Sequence, residues 1–274
     1  MMLKFTDPKY FLSEVSPLVS RQVFDSGRNE PMLITGVCKT TNNKADYVIK
    51  YKGAPQMSIS SSCFELISCF VGIELGLNIA EPSIIDVTPD FLGTLKGKTS
   101  YNIVSKSLGK NFGNKFVPGL KPLVLGQYLD NEQINQAKDI FSFDILISNI
   151  DRSEAKPNLS LDGESIFIFD HELAFSFIFS IINNPTPWDL NGNDMLWIKR
   201  HVFYKVLRGK GYVVDSFVEK FNILNDFFWE KVYETIPREW LDESRNHIEQ
   251  IKTNLVSLIE NRSKFTVSLN KLLS

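Results

Sequence analysis

Short apolar runs fill the first part of the 274-residue chain, and helical stripes fill the rest. Met32 to Cys38 and Tyr47 to Tyr51 are strand-like, joined by the polar stretch Thr40 to Asp46. Within Tyr47-Val-Ile-Lys-Tyr51 the period of two sets Lys50 on the face opposite Ile49. Ser60 to Leu77 predicts a helix, opened by serines suited to capping and carrying Gly76 near its end. Ile84 to Val87 and Tyr101 to Val104 predict further strands. This part reads as a small sheet with one helix laid across it.

From Asn111 the pattern changes. Asn111-Phe-Gly-Asn, Pro118-Gly119 and Pro122 read as a Gly/Pro-punctuated connector. Asn131 to Ser148 predicts a helix with Ile134, Ala137, Phe141 and Ile145 on one stripe. After the break at Asn183-Asn-Pro-Thr-Pro187 the chain is mostly helical, and Ile248, Ile251, Leu255 and Leu258 form a seam on the last long helix. The expected organisation is a β-rich lobe over residues 1–108 and an α-rich lobe over 109–274, with a nucleotide in the cleft between them.

The helical part contains one β signal. Asn158 to Leu161 and Ser165 to Phe169 read as short strands joined by an Asp162-Gly163 turn, a strong hairpin signal. Folding that hairpin brings Asp151 and Asn158, at its entrance, beside Asp170 at its exit. Two carboxylates and a carboxamide suit phosphoryl transfer. One Asp orients and deprotonates the acceptor hydroxyl, while the other, with the Asn, holds Mg²⁺. Asp170 also ends an apolar strand, where an unpartnered carboxylate is costly and a bound cation would compensate it.

Composition narrows the field. Apolar residues make up 43% and charged residues 23%, as in an ordinary globular protein. A net charge of −2 with a pI near 6.0 supplies no global field for nucleic acid or anionic membrane. The three Cys lack Cys-x-x-Cys spacing and the three His are scattered, which argues against a disulfide framework or a zinc site. The N-terminal residues lack a signal-peptide core, and Leu173 to Ile182 is too short to span a bilayer. A cytoplasmic protein is expected.

Other chemistry is weighed around the hairpin. Lys50 either faces solvent or grips the phosphates of a nucleotide from its strand, held by a helix glutamate. Glu65, on a face whose neighbours Ser68, Cys69 and Gly72 are small, suits that partner and favours the pairing. Arg152 and Lys156 either neutralise phosphate or pair with the acids. His171 is expected to pack or hydrogen-bond near Asp170. The loop holding Ser26, Gly27 and Arg28 either cradles phosphates with backbone N–H groups or is a plain turn.

The ordered set resembles the HipA-like kinases, in particular the compact subgroup without the larger family's N-terminal extension. Its pieces are Val48-Ile-Lys50, Glu65, Leu75-Gly-Leu-Asn-Ile-Ala-Glu-Pro82 and Asn111-Phe-Gly113. They continue through Phe143-Asp-Ile-Leu-Ile-Ser-Asn149-Ile-Asp151-Arg152, Pro157-Asn158-Leu159, Phe169-Asp170-His171 and Ile236-Pro-Arg-Glu-Trp240. The resemblance implies a bilobal, protein-kinase-like α+β fold with a small β-rich N-lobe and a mostly α-helical C-lobe, using ATP and Mg²⁺. It makes Asp151 the catalytic base, Asp170 a metal ligand, Lys50 the phosphate grip and Glu65 its partner. The wider family places a metal-binding Asn five residues after the catalytic Asp. Lys156 stands there in this chain, and Asn158 is the available substitute.

The expected function is therefore transfer of the ATP γ-phosphate to a serine or threonine of a protein. Alternatives are a kinase of a lipid or small molecule, and a nucleotide-binding pseudokinase acting as an interaction module. HipA-like relatives include toxins paired with antitoxins. Whether this chain has an antitoxin-type partner is left open, and it shows no antitoxin-like helix-turn-helix.

Overall fold

The computed structural model describes residues 3–24, 29–180, 184–190 and 196–274. Its strands are β1 (Ser13–Val23), β2 (Met32–Cys38), β3 (Lys44–Lys50), β4 (Pro82–Val87), β5 (Gly109–Lys115), β6 (Lys121–Pro122), β7 (Leu159–Asp162) and β8 (Ser165–Ile168). The first five close into a barrel in the ring order β1-β2-β3-β5-β4, all antiparallel except the β1/β4 pair. Val15, Ile34, Ile49, Ile85 and Val87 fill its interior.

Helix α1 (Ile59–Leu75) follows the barrel's third strand. The Ser58 hydroxyl accepts from the Ser61 N–H and caps its start, and Gly76, at φ 85°, ends it. Every residue from Ser62 to Leu75 is buried. Two short helices, α2 (Pro89–Gly93) and α3 (Tyr101–Ser105), add Phe91 and Val104 to the barrel's core cluster, and α4 (Asn131–Leu146) leads to the hairpin. An Asp130/Gln133 capping box fixes the start of α4, and its stripe Ile134, Ala137, Phe141 and Ile145 is buried as expected. The chain continues through α5 (Tyr204–Leu207), α6 (Asp215–Val218), α7 (Asp226–Thr235), α8 (Arg238–Glu260) and α9 (Arg262–Leu273). The seam of α8 is core, with Ile248, Ile251 and Leu255 each 0% exposed.

Helix α1 packs against both β5 and α8. Near its start, Ser60 Oγ meets Ser244 Oγ and His247 Nδ1 of α8, each at 3.2 Å. Further along, Phe5 stacks on Phe70 of α1, with ring centroids 4.1 Å apart, and its ring also meets Phe228 of α7. Thr6 donates from both N–H and hydroxyl to the Glu74 carboxylate, and Lys231 of α7 donates to the Asp7 carbonyl at 2.7 Å. The N-terminal segment thus ties α1 to α7.

Three expectations change. Tyr101 to Val104 forms α3 rather than a strand. Asn111-Phe-Gly-Asn is not connector but the centre of β5, so barrel strands continue past residue 108 to Lys115. Gly113 belongs there because a Cβ would lie 2.7 Å from Ile85 Cγ1 and 3.0 Å from the Val48 carbonyl oxygen. Strand β1, with no expected counterpart, is interrupted by register shifts at Pro17/Val19 and Ser20/Gln22, which erase its alternation. The expected hairpin forms, with Gly163 at φ 56° and Glu164 between the paired Asp162 and Ser165. Among the described residues no helix is long and apolar enough to cross a membrane.

Candidate active site

The hairpin mouth is organised from beneath by a buried acid. Asp144 lies on the apolar side of α4, 0% exposed, where a carboxylate needs partners. Its Oδ2 accepts from Arg152 Nε at 2.5 Å and lies 3.0 Å from His201 Nε2, while its Oδ1 accepts from Asn149 Nδ2 at 2.8 Å. Burial raises the Asp144 pKa, but Arg152 and His201 outweigh it and hold the group at about 2. Burial likewise lowers His201.

Arg152 spreads this charge across the hairpin mouth. Its Nη1 donates to the carbonyls of Asn158 at 2.7 Å and Phe169 at 3.3 Å, and its Nη2 lies 3.0 Å from His171 Nε2. At 1% exposure it cannot meet a phosphate, so of its two readings the carboxylate pairing holds. The guanidinium stitches the hairpin's entrance to its exit. Asn158 and Asp170 there take positive φ values of 50° and 64°, a conformation Asn and Asp tolerate better than most residues.

Above this floor the titratable groups converge. Lys50, at the end of β3, pairs with Glu65 Oε1 and donates to Asp170 Oδ1 at 2.5 Å, with Glu172 Oε2 at 3.6 Å. Glu65 Oε2 accepts from the His171 backbone N–H at 2.9 Å, so α1 grips both the lysine and the end of the hairpin. Burial pulls the Lys50 pKa down, but Asp170, Glu65 and Glu172 together raise it above its ordinary value. Burial opposes ionisation of Asp170 as well, yet Lys50 and Lys156 drive its pKa well below the carboxylate range. With a side chain only 12% exposed, Lys50 is not the solvent-facing residue of the plainer reading.

Asp151 stands at the entrance, its side chain 20% exposed and its Oδ2 paired with Lys156. Lys156 also reaches Asp170 Oδ2 at 3.1 Å. Asn158 sits across the register from Phe169, and its Nδ2 is buried without a hydrogen-bond partner among the described residues. The structure therefore brings Lys50, Glu65, Asp170, Asp151 and Lys156 into one contiguous cluster with Asn158 on its rim. Ser26, Gly27 and Arg28 lie outside the described residues.

Two acids escaped the sequence reading. Glu172, which also accepts from Asn29 Nδ2 at 2.8 Å, lies only two positions after Asp170. Asp144 had a readable signal, being an acid on the stripe of Ala137 and Phe141. A cavity of about 370 Å³, lined in part by Ser20, Arg21, Met32 and Lys98, shares no residue with the cluster.

The donors fit a hard divalent cation. The carboxylates of Glu65, Asp170 and Glu172 offer oxygens within 4.8 Å of one another. Lys50, through Glu65 Oε1 and Asp170 Oδ1, and Lys156, through Asp170 Oδ2, already neutralise part of that acid cluster.

Residues 19–266 match the family model described as HipA-like kinase. No curated protein matches the chain. Among solved structures, the chain is similar to the crystal structure of a Helicobacter pylori proinflammatory kinase, CtkA. The TM-score is 0.44 and the identity 12%, with 95% of this chain and 96% of that one covered.

Proposed function

The chain belongs to the HipA-like kinase family, and on that premise we propose that it transfers the γ-phosphate of ATP to a serine or threonine hydroxyl of a protein. The observation that carries this reading is the lysine of β3 bonded at once to a glutamate of α1 and to the aspartate that ends the hairpin. That arrangement holds a cation where phosphates need one and orients an acidic ligand beside it.

The barrel and the helical part act as two lobes with the nucleotide between them. Lys50 neutralises phosphate oxygens, and Glu65 fixes its ammonium in place. Asp151, exposed enough to meet an acceptor, takes the proton from the attacking hydroxyl. Asp170 and Asn158 would hold Mg²⁺, which would neutralise charge developing on the transferred group. Arg152 keeps the two ends of the hairpin in register, so that base and metal ligands stay at fixed separation. The exposed apolar side chains of Phe169, directly before Asp170, and of Leu173 and Phe179 after it favour a polypeptide acceptor over a compact metabolite.

Incubation with γ-labelled ATP, Mg²⁺ and separate protein, phosphoinositide and aminoglycoside acceptors tests the proposal. Label on protein serine or threonine is expected. Label confined to the lipid or the small molecule rejects the acceptor class. Nucleotide binding without turnover would make the chain an interaction module instead.

A further inference from the structure

Lys156 is placed differently from an ordinary surface lysine. Its backbone is pinned in a tight turn, with the Lys156 N–H donating to the Ser153 carbonyl at 3.1 Å and the Ser153 N–H donating back to the Lys156 carbonyl at 3.2 Å. From that anchor its ammonium pairs with Oδ2 of Asp151 and lies 3.1 Å from Oδ2 of Asp170. Lys50 occupies the other oxygen of Asp170. One protein cation thus bridges the residue assigned as base and the residue assigned as metal ligand.

We propose that Lys156 supplies, from the chain itself, the positive charge between Asp151 and Asp170 that a second divalent cation would otherwise bring, so that the site takes a single Mg²⁺ with its nucleotide. The inference rests on the kinase reading above.

The physical argument is one of shared oxygens. A second divalent ion in this place would need an oxygen of Asp170 and a further oxygen donor close to Asp151. Lys156 stands in that position with an ammonium, which donates hydrogen bonds but ligates nothing. An ammonium and a divalent ion repel strongly on one carboxylate oxygen, so the single Mg²⁺ takes Oδ1 of Asp170, which Lys50 gives up on turning to the phosphates, while Oδ2 stays with Lys156. The lysine also supplies its charge at any Mg²⁺ concentration, and unlike Mg²⁺ it does not have to shed a tightly held water shell.

Counting bound Mn²⁺ by electron paramagnetic resonance tests this on the full chain, titrated with a non-hydrolysable ATP analogue. The wild type is expected to bind one ion per chain. Lys156→Asn, which removes the ammonium and adds a carboxamide oxygen, is expected to bind two. Lys156→Met, which removes the charge without adding a ligand, is expected to keep one ion and lose turnover by about 10²-fold, as when one charge-stabilising group is removed. Both variants should fold, because the side chain is 40% exposed, and circular dichroism checks this. A count of two in the wild type, or of one in folded Lys156→Asn, overturns the proposal and leaves the kinase reading intact. Folded wild type that binds no Mn²⁺ with the analogue overturns both.

Discussion

The Nζ of Lys50 lies 2.5 Å from Oδ1 of Asp170, a residue 120 positions further along the chain. That contact joins the rim of the barrel to the exit of the β7–β8 hairpin, and Glu65 and Glu172 crowd the same ammonium. Removing the lysine leaves three buried or half-buried carboxylates facing one another. Breaking a buried pair from one side typically costs about 3–5 kcal/mol. Lys50→Met should therefore lower the urea midpoint substantially and abolish phosphoryl transfer in the same protein. Wild-type stability together with wild-type turnover would show that the contact contributes nothing.

Asp151 calls for a gentler substitution. It is partly exposed and is not part of the buried network, so Asp151→Asn should fold normally and bind nucleotide within a few-fold of wild type. Loss of a general base lowers turnover by roughly 10²–10⁴. Steady-state kinetics beside nucleotide titration separates the two quantities. Unchanged kcat would take the proton-accepting role away from this residue.

Arg152 makes the opposite case, a basic residue at the site whose work is structural. Its planar fork spans Asp144, two carbonyls and His171, and a point-charge ammonium cannot reproduce that geometry. Arg152→Lys is expected to lose about 3 kcal/mol of stability, the low end for breaking a buried pair. Unfolding in urea measures it, and a loss below about 1 kcal/mol, the range of exposed ion pairs, would contradict the network described here.

Acid should unfold the protein through Asp144. Its folded-state pKa is about 2 against an ordinary 3.8, so the group binds its proton more weakly when folded. The resulting stabilisation, about 2 kcal/mol at 1.4 kcal/mol per unit, is fully present above pH 4. It declines as pH falls and is gone below pH 2. Asp139 carries the opposite sign. Burial raises it to about 6, so it costs stability as pH climbs from about 4 to 6. Asp139→Asn should therefore raise the urea midpoint at pH 7 and leave it unchanged at pH 3, while wild type loses its midpoint steeply below pH 4.

Much of the site was legible because local signals coincided with it. The hairpin carries its own turn residues, so the meeting of Asp151 with Asp170 needed no knowledge of distant packing. Lys50 and Glu65 were legible through their neighbours, a strand of period two and a helix face of small residues. The boundaries of α1 and α4 fell within two residues of expectation because Ser58, Gly76 and Asp130 act locally. Strand β5 was misread since Asn and Gly usually mark turns. Here Asn111 turns its amide onto the Ser107 and Gly109 carbonyls, and Gly113 admits a neighbouring strand. Both are tertiary facts. The fate of Arg152 was equally hidden, because its partner Asp144 and its neighbour His201 come together only when the helical part folds.

The rooting of α1 has a consequence for control. An enzyme of this type is silenced cheaply if its glutamate-bearing helix can swing outward and part the ion pair. Here Cys63, Phe64, Ile67, Phe70 and Val71 of that helix are each at most 1% exposed. Uncovering five such side chains, most of them large, at roughly 1.5–3 kcal/mol apiece, approaches the ~5–15 kcal/mol that holds a whole domain together. Outward rotation would amount to unfolding, so an off state must instead be imposed at the entrance, by whatever blocks the acceptor or draws the ammonium of Lys156 away from its two acids.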